Sequence, residues 1–82
     1  MKSITIRFFA NLKEKAGFSQ RKYEIPDNAT IKLLKKSLEM DFPSLRAHLD
    51  NVLVLIGNES VIDEDEIPAE SLVTFLTPIG GG

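Results

Sequence analysis

Hydrophobic and polar residues alternate strictly over residues 4–10, ITIRFFA. Ile4, Ile6 and Phe8 share one face of an extended chain, and Phe9 falls on the other face. Alternation with β-branched and aromatic residues is typical of a β-strand. A second alternating stretch, RKYEI, ends at a Pro-Asp-Asn turn, so the two stretches predict an antiparallel hairpin. The ANLKEKAG segment between them has room for one helical turn, which its glycine ends.

The middle of the chain has the periodicity of an amphipathic helix. Thr30 is a good N-cap residue, and Pro43 is expected to stop the helix. The apolar residues between them recur at spacings of three and four, with lysines on the opposite side. These apolar residues are Ile31, Leu34, Leu38 and Phe42. A further short helical turn is predicted in SLRAHLD, with Leu45 and Leu49 facing the core.

The last third of the chain contains two more strand patterns. NVLVLIGN, residues 51–58, is the most apolar run and predicts a strand that is buried on both faces. Val61 and its neighbour can pair briefly, and DEDEIPAES predicts an acidic loop. LVTFL, residues 72–76, predicts the final strand, with Val73 and Phe75 facing the core.

This order of elements predicts an α+β fold. A mixed sheet of four to five strands is expected to curl around one main helix, with the first and last strands adjacent at its centre. One face of such a sheet packs on the helix and the other faces solvent. We expect a single domain over residues 1–77 and a flexible tail over residues 78–82.

Two predicted surface features are not needed for folding. Phe9 and Leu76 are out of phase with the core residues of their strands, so both should lie on the outer face, with Val61 as a third member. Such a cluster indicates either a partner-binding patch or scattered surface hydrophobes.

The second feature is the terminal sequence PIGGG. Glycines without Cβ atoms can thread a narrow channel, and residues 78–82 can reach about 13–16 Å beyond the last strand. The reactive group at the tip is the Gly82 carboxylate, which needs activation before a nucleophile can attack it. The alternative is an idle, disordered terminus.

Composition narrows the function classes. The chain has 82 residues, 43% of them hydrophobic, and a net charge of −2. The chain has no excess of positive charge that would attract nucleic acid, and no apolar run is long enough to span a membrane. There is no cysteine, which removes disulfides, thiolate metal sites and a cysteine nucleophile. The N-terminus lacks the apolar core of a signal peptide, so a cytoplasmic location is expected.

Two other candidate sites are weak. His48 has no second ligand or carboxylate in register, which favours a surface histidine. The acidic run of residues 63–66 lacks the spaced oxygens of a calcium loop and favours a solvated turn, with electrostatic steering towards a basic partner as the alternative. Catalysis by this chain alone is therefore not expected.

Four segments in order resemble the ubiquitin-like sulfur carriers of the MoaD/ThiS family, and among them the small subunit of molybdopterin synthase. They are TIRFFANLKEKAG, NATIKLLKKSL, LVLIGNESV and LVTFLTPIGGG. They cover nearly the whole length, although only the aromatic-alanine strand end and the Pro-x-x-Gly-Gly tail are specific. The resemblance implies a β-grasp fold. It also implies a non-enzymatic carrier whose catalytic residues lie on its partner.

The resemblance assigns roles to individual residues. Gly81 and Gly82 match the terminal Gly-Gly, and Gly82 is the residue that becomes an acyl-adenylate and then a thiocarboxylate. The other residues implied in partner binding form the exposed patch, the strand end that aims the tail, and the tail itself: Phe9, Val61, Leu76, Phe75, Pro78, Ile79 and Gly80. This chain has Thr77-Pro78 where the family often has two prolines, and Gly80 where a larger residue is usual. These departures affect the expected pathway more than the carrier role.

The implied partners are an E1-like adenylating enzyme of the MoeB/ThiF type, a large synthase subunit of the MoaE type and a sulfurtransferase. No permanently bound cofactor is implied, because ATP is used by the activating enzyme. Sulfur donation in molybdenum or tungsten cofactor synthesis is the leading hypothesis. The alternatives are a protein modifier joined through Gly82, a sulfur carrier for thiamine or another metabolite, and a binding module with an idle tail.

Overall fold

Five strands and two α-helices form along residues 1–77, the part of the chain that this computed structural model describes. The elements in chain order are β1 (Lys2–Phe8), α1 (Ala10–Ala16), β2 (Gln20–Ile25), α2 (Ile31–Asp41), a 3-10 helix (Pro43–Leu45), β3 (Leu53–Ile56), β4 (Glu59–Val61) and β5 (Leu72–Leu76). The strands form one sheet in the order β2-β1-β5-β3-β4. β1 and β5 are parallel neighbours at its centre, and the remaining pairs are antiparallel. The predicted α+β architecture is confirmed.

The core lies between one face of the sheet and the helices. β1 contributes Ile4, Ile6 and Phe8 to it, and β5 contributes Val73 and Phe75, as the alternation predicts. α2 contributes three fully buried residues to the core, Ile31, Leu34 and Leu38. The rings of Phe8 and Phe75 lie 5.3 Å apart between centroids, so the two central strands are joined by aromatic packing as well as by their ladder.

The ends of α2 follow from local chemistry. The Thr30 side chain accepts a hydrogen bond from the Leu33 amide at 3.3 Å, as an N-cap residue does. The first two amides of the helix, those of Ile31 and Lys32, donate to the carbonyls of Asp65 and Asp63. The loop that precedes β5 therefore completes the cap. The helix ends at Asp41, two residues before Pro43.

The two shorter helical segments also match the sequence pattern. α1 ends at Gly17, whose φ of 87° lies in the left-handed region that favours glycine. Leu45 and Leu49 are fully buried beneath the SLRAHLD segment, as predicted. Within residues 1–77, no helix is long and apolar enough to cross a bilayer.

One prediction about the sheet is wrong. The run over β3 was expected to be buried on both faces, yet Leu53 is 48% exposed while Val54 is buried. β3 has helices on one side only, because the sheet is a single layer whose other face is open. A continuous apolar run has no alternation to reveal this difference between its faces.

Candidate functional site: the open face of the sheet

The face of the sheet opposite the helices carries an apolar patch. Residues that are directly paired across strands share a face, so the register identifies its members. Leu53 lies opposite Leu76, and Leu55 lies opposite Thr74. Leu72 and Thr5 are paired in the same way between the central strands. Together with Phe9, these apolar side chains define the outer patch: Phe9, Leu53, Leu55, Leu72 and Leu76.

Phe9 lies on the open face, as predicted, directly after the last residue of β1. Its backbone stays extended, with φ −121° and ψ 157°, so its side chain continues the alternation of the strand onto the open face. The guanidinium carbon of Arg7, on the same face, is 5.0 Å from the centre of the Phe9 ring. Phe9 is 41% exposed. Ala10 then turns the chain into α1 with a left-handed φ of 52°.

Leu76 also lies on the open face, as predicted. The parallel register pairs Phe8 with Phe75, so one further step places Phe9 beside Leu76. Leu53 completes this cluster from the opposite side through its pairing with Leu76. Sequence analysis missed Leu53, Leu55 and Leu72. The register between β3 and LVTFL would have identified Leu53 and Leu55, because Leu53 pairs with the outward residue Leu76. Alternation within LVTFL places Leu72 on the same face as Leu76.

The prediction that Val61 belongs to this patch is wrong. Val61 pairs with Val54, and Val54 pairs with Phe75, so all three share the helix side of the sheet. Val61 is half-buried and packs against the core. Its position in the sequence suggested exposure, but only the pairing of β4 with β3 determines its face.

Phe75 is fully buried, so it offers no surface to a partner. The expectation that it contacts a partner is therefore wrong, and its remaining role is to hold the end of β5 in place. The five tail residues with predicted roles lie outside the described residues: Pro78, Ile79, Gly80, Gly81 and Gly82. The described chain stops at Thr77, directly after the strand that carries Leu76.

Charged side chains lie on both sides of the sheet. The open face carries Arg7, and on the neighbouring strand Lys22 lies opposite Thr5 and Glu24 lies opposite Ser3. The acidic turn lies away from this face, near the start of α2, where the Lys35 ammonium is 2.8 Å from an Asp63 oxygen. In the described range, no group of three or more His, Cys, Asp or Glu side chains could hold a metal ion. His48 is half-buried, so the prediction of a surface histidine is only partly confirmed.

Solved structures with the same fold cover nearly the whole chain. SAMP1 from Haloferax volcanii has a TM-score of 0.86 at 23% identity, with 98% of this chain and 99% of that chain covered. The small archaeal modifier protein 1 from Methanosarcina acetivorans has a TM-score of 0.86 at 19% identity, with 100% and 98% covered. A chain of the complex of subunits 1 and 2 of the molybdopterin-converting factor from Helicobacter pylori has a TM-score of 0.71 at 17% identity, with 98% and 99% covered.

These likenesses establish the ubiquitin-like β-grasp fold. A search of curated proteins found no match. The profile of the ThiS family, in contrast, matches residues 6–82, from the middle of β1 to the last glycine. The match includes Phe9, the strand that carries Leu76 and the glycine tail. The chain therefore belongs to the ThiS family.

Proposed function

We propose that this chain is a sulfur carrier whose Gly82 carboxylate is activated and then converted to a thiocarboxylate. The observation that carries the proposal is the position of the outer patch. Phe9, Leu53 and Leu76 cluster at the end of β5, and the glycine tail follows that strand in sequence. A protein that docks on this cluster has the tail within about 13–16 Å, which is the reach of five extended residues.

Formation of the thiocarboxylate requires two steps on partner proteins, and its use requires a third. A carboxylate oxygen of Gly82 attacks the α-phosphate of ATP on an E1-like adenylating enzyme, and pyrophosphate leaves. A sulfur nucleophile at the oxidation level of sulfide, delivered by a sulfurtransferase, then displaces AMP. The product thiocarboxylate donates its sulfur to a small molecule bound by a larger partner. This chain supplies the carrier group and the docking face, and its partners supply the catalytic residues.

Molybdopterin synthesis is the receiving pathway that we favour. The support is the likeness to a chain in the complex of subunits 1 and 2 of the Helicobacter pylori molybdopterin-converting factor. That complex also supports a large subunit as a docking partner for the outer patch. The second candidate function is protein modification through Gly82, which the likeness to the small archaeal modifier proteins favours.

Deletion of Gly82 tests the carrier proposal. The truncated chain should not be adenylated by ATP and the activating enzyme of the same organism. Its melting temperature should stay unchanged, because the core lies within residues 1–77. The truncated chain still ends in a carboxylate, that of Gly81, so its adenylation at the normal rate would show that Gly82 itself is not required for activation.

The intact mass of the chain purified from its own host distinguishes the two functions. Replacement of one carboxylate oxygen by sulfur raises the mass by about 16 units, as the carrier requires. A ladder of larger conjugates favours the modifier. An unchanged mass under every growth condition would leave only a β-grasp binding module with an idle tail.

A further inference from the structure

Two polar groups at the centre of the open face have no hydrogen-bond partner within residues 1–77. Arg7 and Thr74 are directly paired between the central strands. Thr74 is only 1% exposed, although it lies on the face without helices. Its hydroxyl oxygen is buried without a hydrogen-bond partner, and so is Nε of Arg7. Buried polar groups in native proteins nearly always have partners, so two adjacent exceptions require an explanation.

The surroundings of this pair are apolar. Leu72 and Leu76 flank Thr74 along the same face of β5, and Leu55 is its partner across the sheet. The guanidinium of Arg7 lies over the Phe9 ring rather than against an acid. Within residues 1–77, the salt bridges join Met1 with Asp27 and Lys35 with Asp63, so neither involves Arg7. Among the residues that the structure describes, the Arg7 cation therefore has no counter-ion, and it lies within the outer patch.

We propose that Arg7 and Thr74 are the polar specificity determinants of this face, and that they receive an Asp or Glu carboxylate of the docking protein. The inference rests on the proposed function, because it assumes that the outer patch docks on the activating enzyme. The two oxygens of a carboxylate can accept two parallel hydrogen bonds from the planar guanidinium. A neutral carbonyl has a single oxygen and cannot form this paired contact. The proposal also requires that the guanidinium moves towards that acid and leaves the Thr74 hydroxyl accessible, so that the hydroxyl donates to the same acid.

This arrangement makes docking selective. An apolar partner surface without an acid would bury the Arg7 charge unpaired, which opposes binding. A partner with a correctly placed acid pairs the charge and satisfies the hydroxyl. The apolar patch therefore supplies contact area, and the polar pair distinguishes between partners.

The test measures affinity for the E1-like adenylating enzyme of the same organism and the melting temperature of each variant alone. Arg7→Met should weaken binding about 10- to 100-fold, the usual effect of losing hydrogen bonds to a charged group. It should also flatten the salt dependence of affinity, since the charge pair is lost. Lys22→Met removes a cation from the same face but outside the patch, and it should change affinity less than about threefold.

Thr74→Val gives a readout that a purely structural threonine would not give. Valine keeps the shape and removes a hydroxyl that has no partner among residues 1–77, so the melting temperature should rise by about 4–8 °C. Affinity for the enzyme should fall about five- to tenfold, because a docking hydrogen bond is lost. A lower melting temperature for Thr74→Val would overturn the inference, because it would show that the hydroxyl is already paired.

The outcomes separate the inference from the proposed function. Wild-type binding together with unchanged affinity of Arg7→Met overturns the inference alone. Absence of wild-type binding overturns the carrier proposal, and the docking inference with it. Weaker binding of Arg7→Met and Thr74→Val, combined with the higher melting temperature of Thr74→Val, supports both.

Discussion

Replacement of two adjacent residues of β5 should give opposite effects on stability and binding. Phe75 is fully buried and packs on Phe8 in the centre of the core. Phe75→Ala should cost about 3–5 kcal/mol of unfolding free energy through lost burial and a cavity. A domain of this size has about 4–12 kcal/mol in total. The melting temperature should therefore fall by about 12–40 °C, and at the upper end the variant would not fold.

Leu76→Lys should leave the fold nearly intact. Leu76 is half-buried on the open face, and the lysine stem can cover the same apolar surface while its ammonium reaches water. The expected loss of stability is about 1 kcal/mol or less. Affinity for the activating enzyme should fall about 30-fold or more, because an apolar anchor in an interface contributes about 2 kcal/mol.

The measurements are thermal unfolding followed by circular dichroism and binding to the enzyme by calorimetry. Leu33→Lys is the matched control, since Leu33 is 40% exposed on α2, on the other side of the sheet. It introduces the same charge and should change neither quantity appreciably. If Leu76→Lys unfolds the domain while Phe75→Ala stays folded, the register of β5 is wrong by one residue. If Leu33→Lys weakens binding as much as Leu76→Lys, the docking face is not the outer patch.

Two further predictions concern the helix side of the sheet. Burial of Tyr23, with a smaller effect from its hydrogen bond to the Asp41 carboxylate, raises the pKa of its phenol above the ordinary value of about 10. The folded state thus binds this proton more tightly than the unfolded state, so stability is complete below pH of about 10 and falls as the pH rises further. Tyr23 is the only tyrosine and there is no tryptophan, so the absorbance of tyrosinate reports the ionisation of this group alone. The prediction would be contradicted if the native and the denatured chain gave the same titration curve. Thr30→Ala should lower the free energy of unfolding, measured with urea, by about 1 kcal/mol, because the Leu33 amide loses its hydrogen-bond acceptor. Thr30→Ser keeps the hydroxyl and should retain most of that free energy. Equal losses for both variants would mean that the hydroxyl is not the stabilising group.

Much of the fold could be predicted because its periodic segments are short and clear. Alternation in ITIRFFA placed Phe8 inside and Phe9 outside, and both positions are confirmed. The spacing of Leu34 and Leu38 identified the buried side of α2. In these segments the local pattern alone determines which face is buried.

The candidate site was harder to predict because its members come from three strands. Leu53 belongs to a run of apolar residues whose faces cannot be distinguished locally, so it was missed. Val61 was assigned to the wrong face because a three-residue strand has no alternation of its own. Cross-strand register decides both positions, and register is a property of the folded sheet.

The central position of β5 links partner recognition to complete folding. β5 is the last strand within residues 1–77, yet it lies between β1 and β3 and pairs with residues near the N-terminus. Such distant pairing forms late and slowly, because a long loop must close first. A chain from which β5 has detached loses Phe75 from its core and Leu76 from its surface together. An enzyme that recognises this face can thus select chains that have finished folding, and its binding should slow amide hydrogen exchange throughout the sheet.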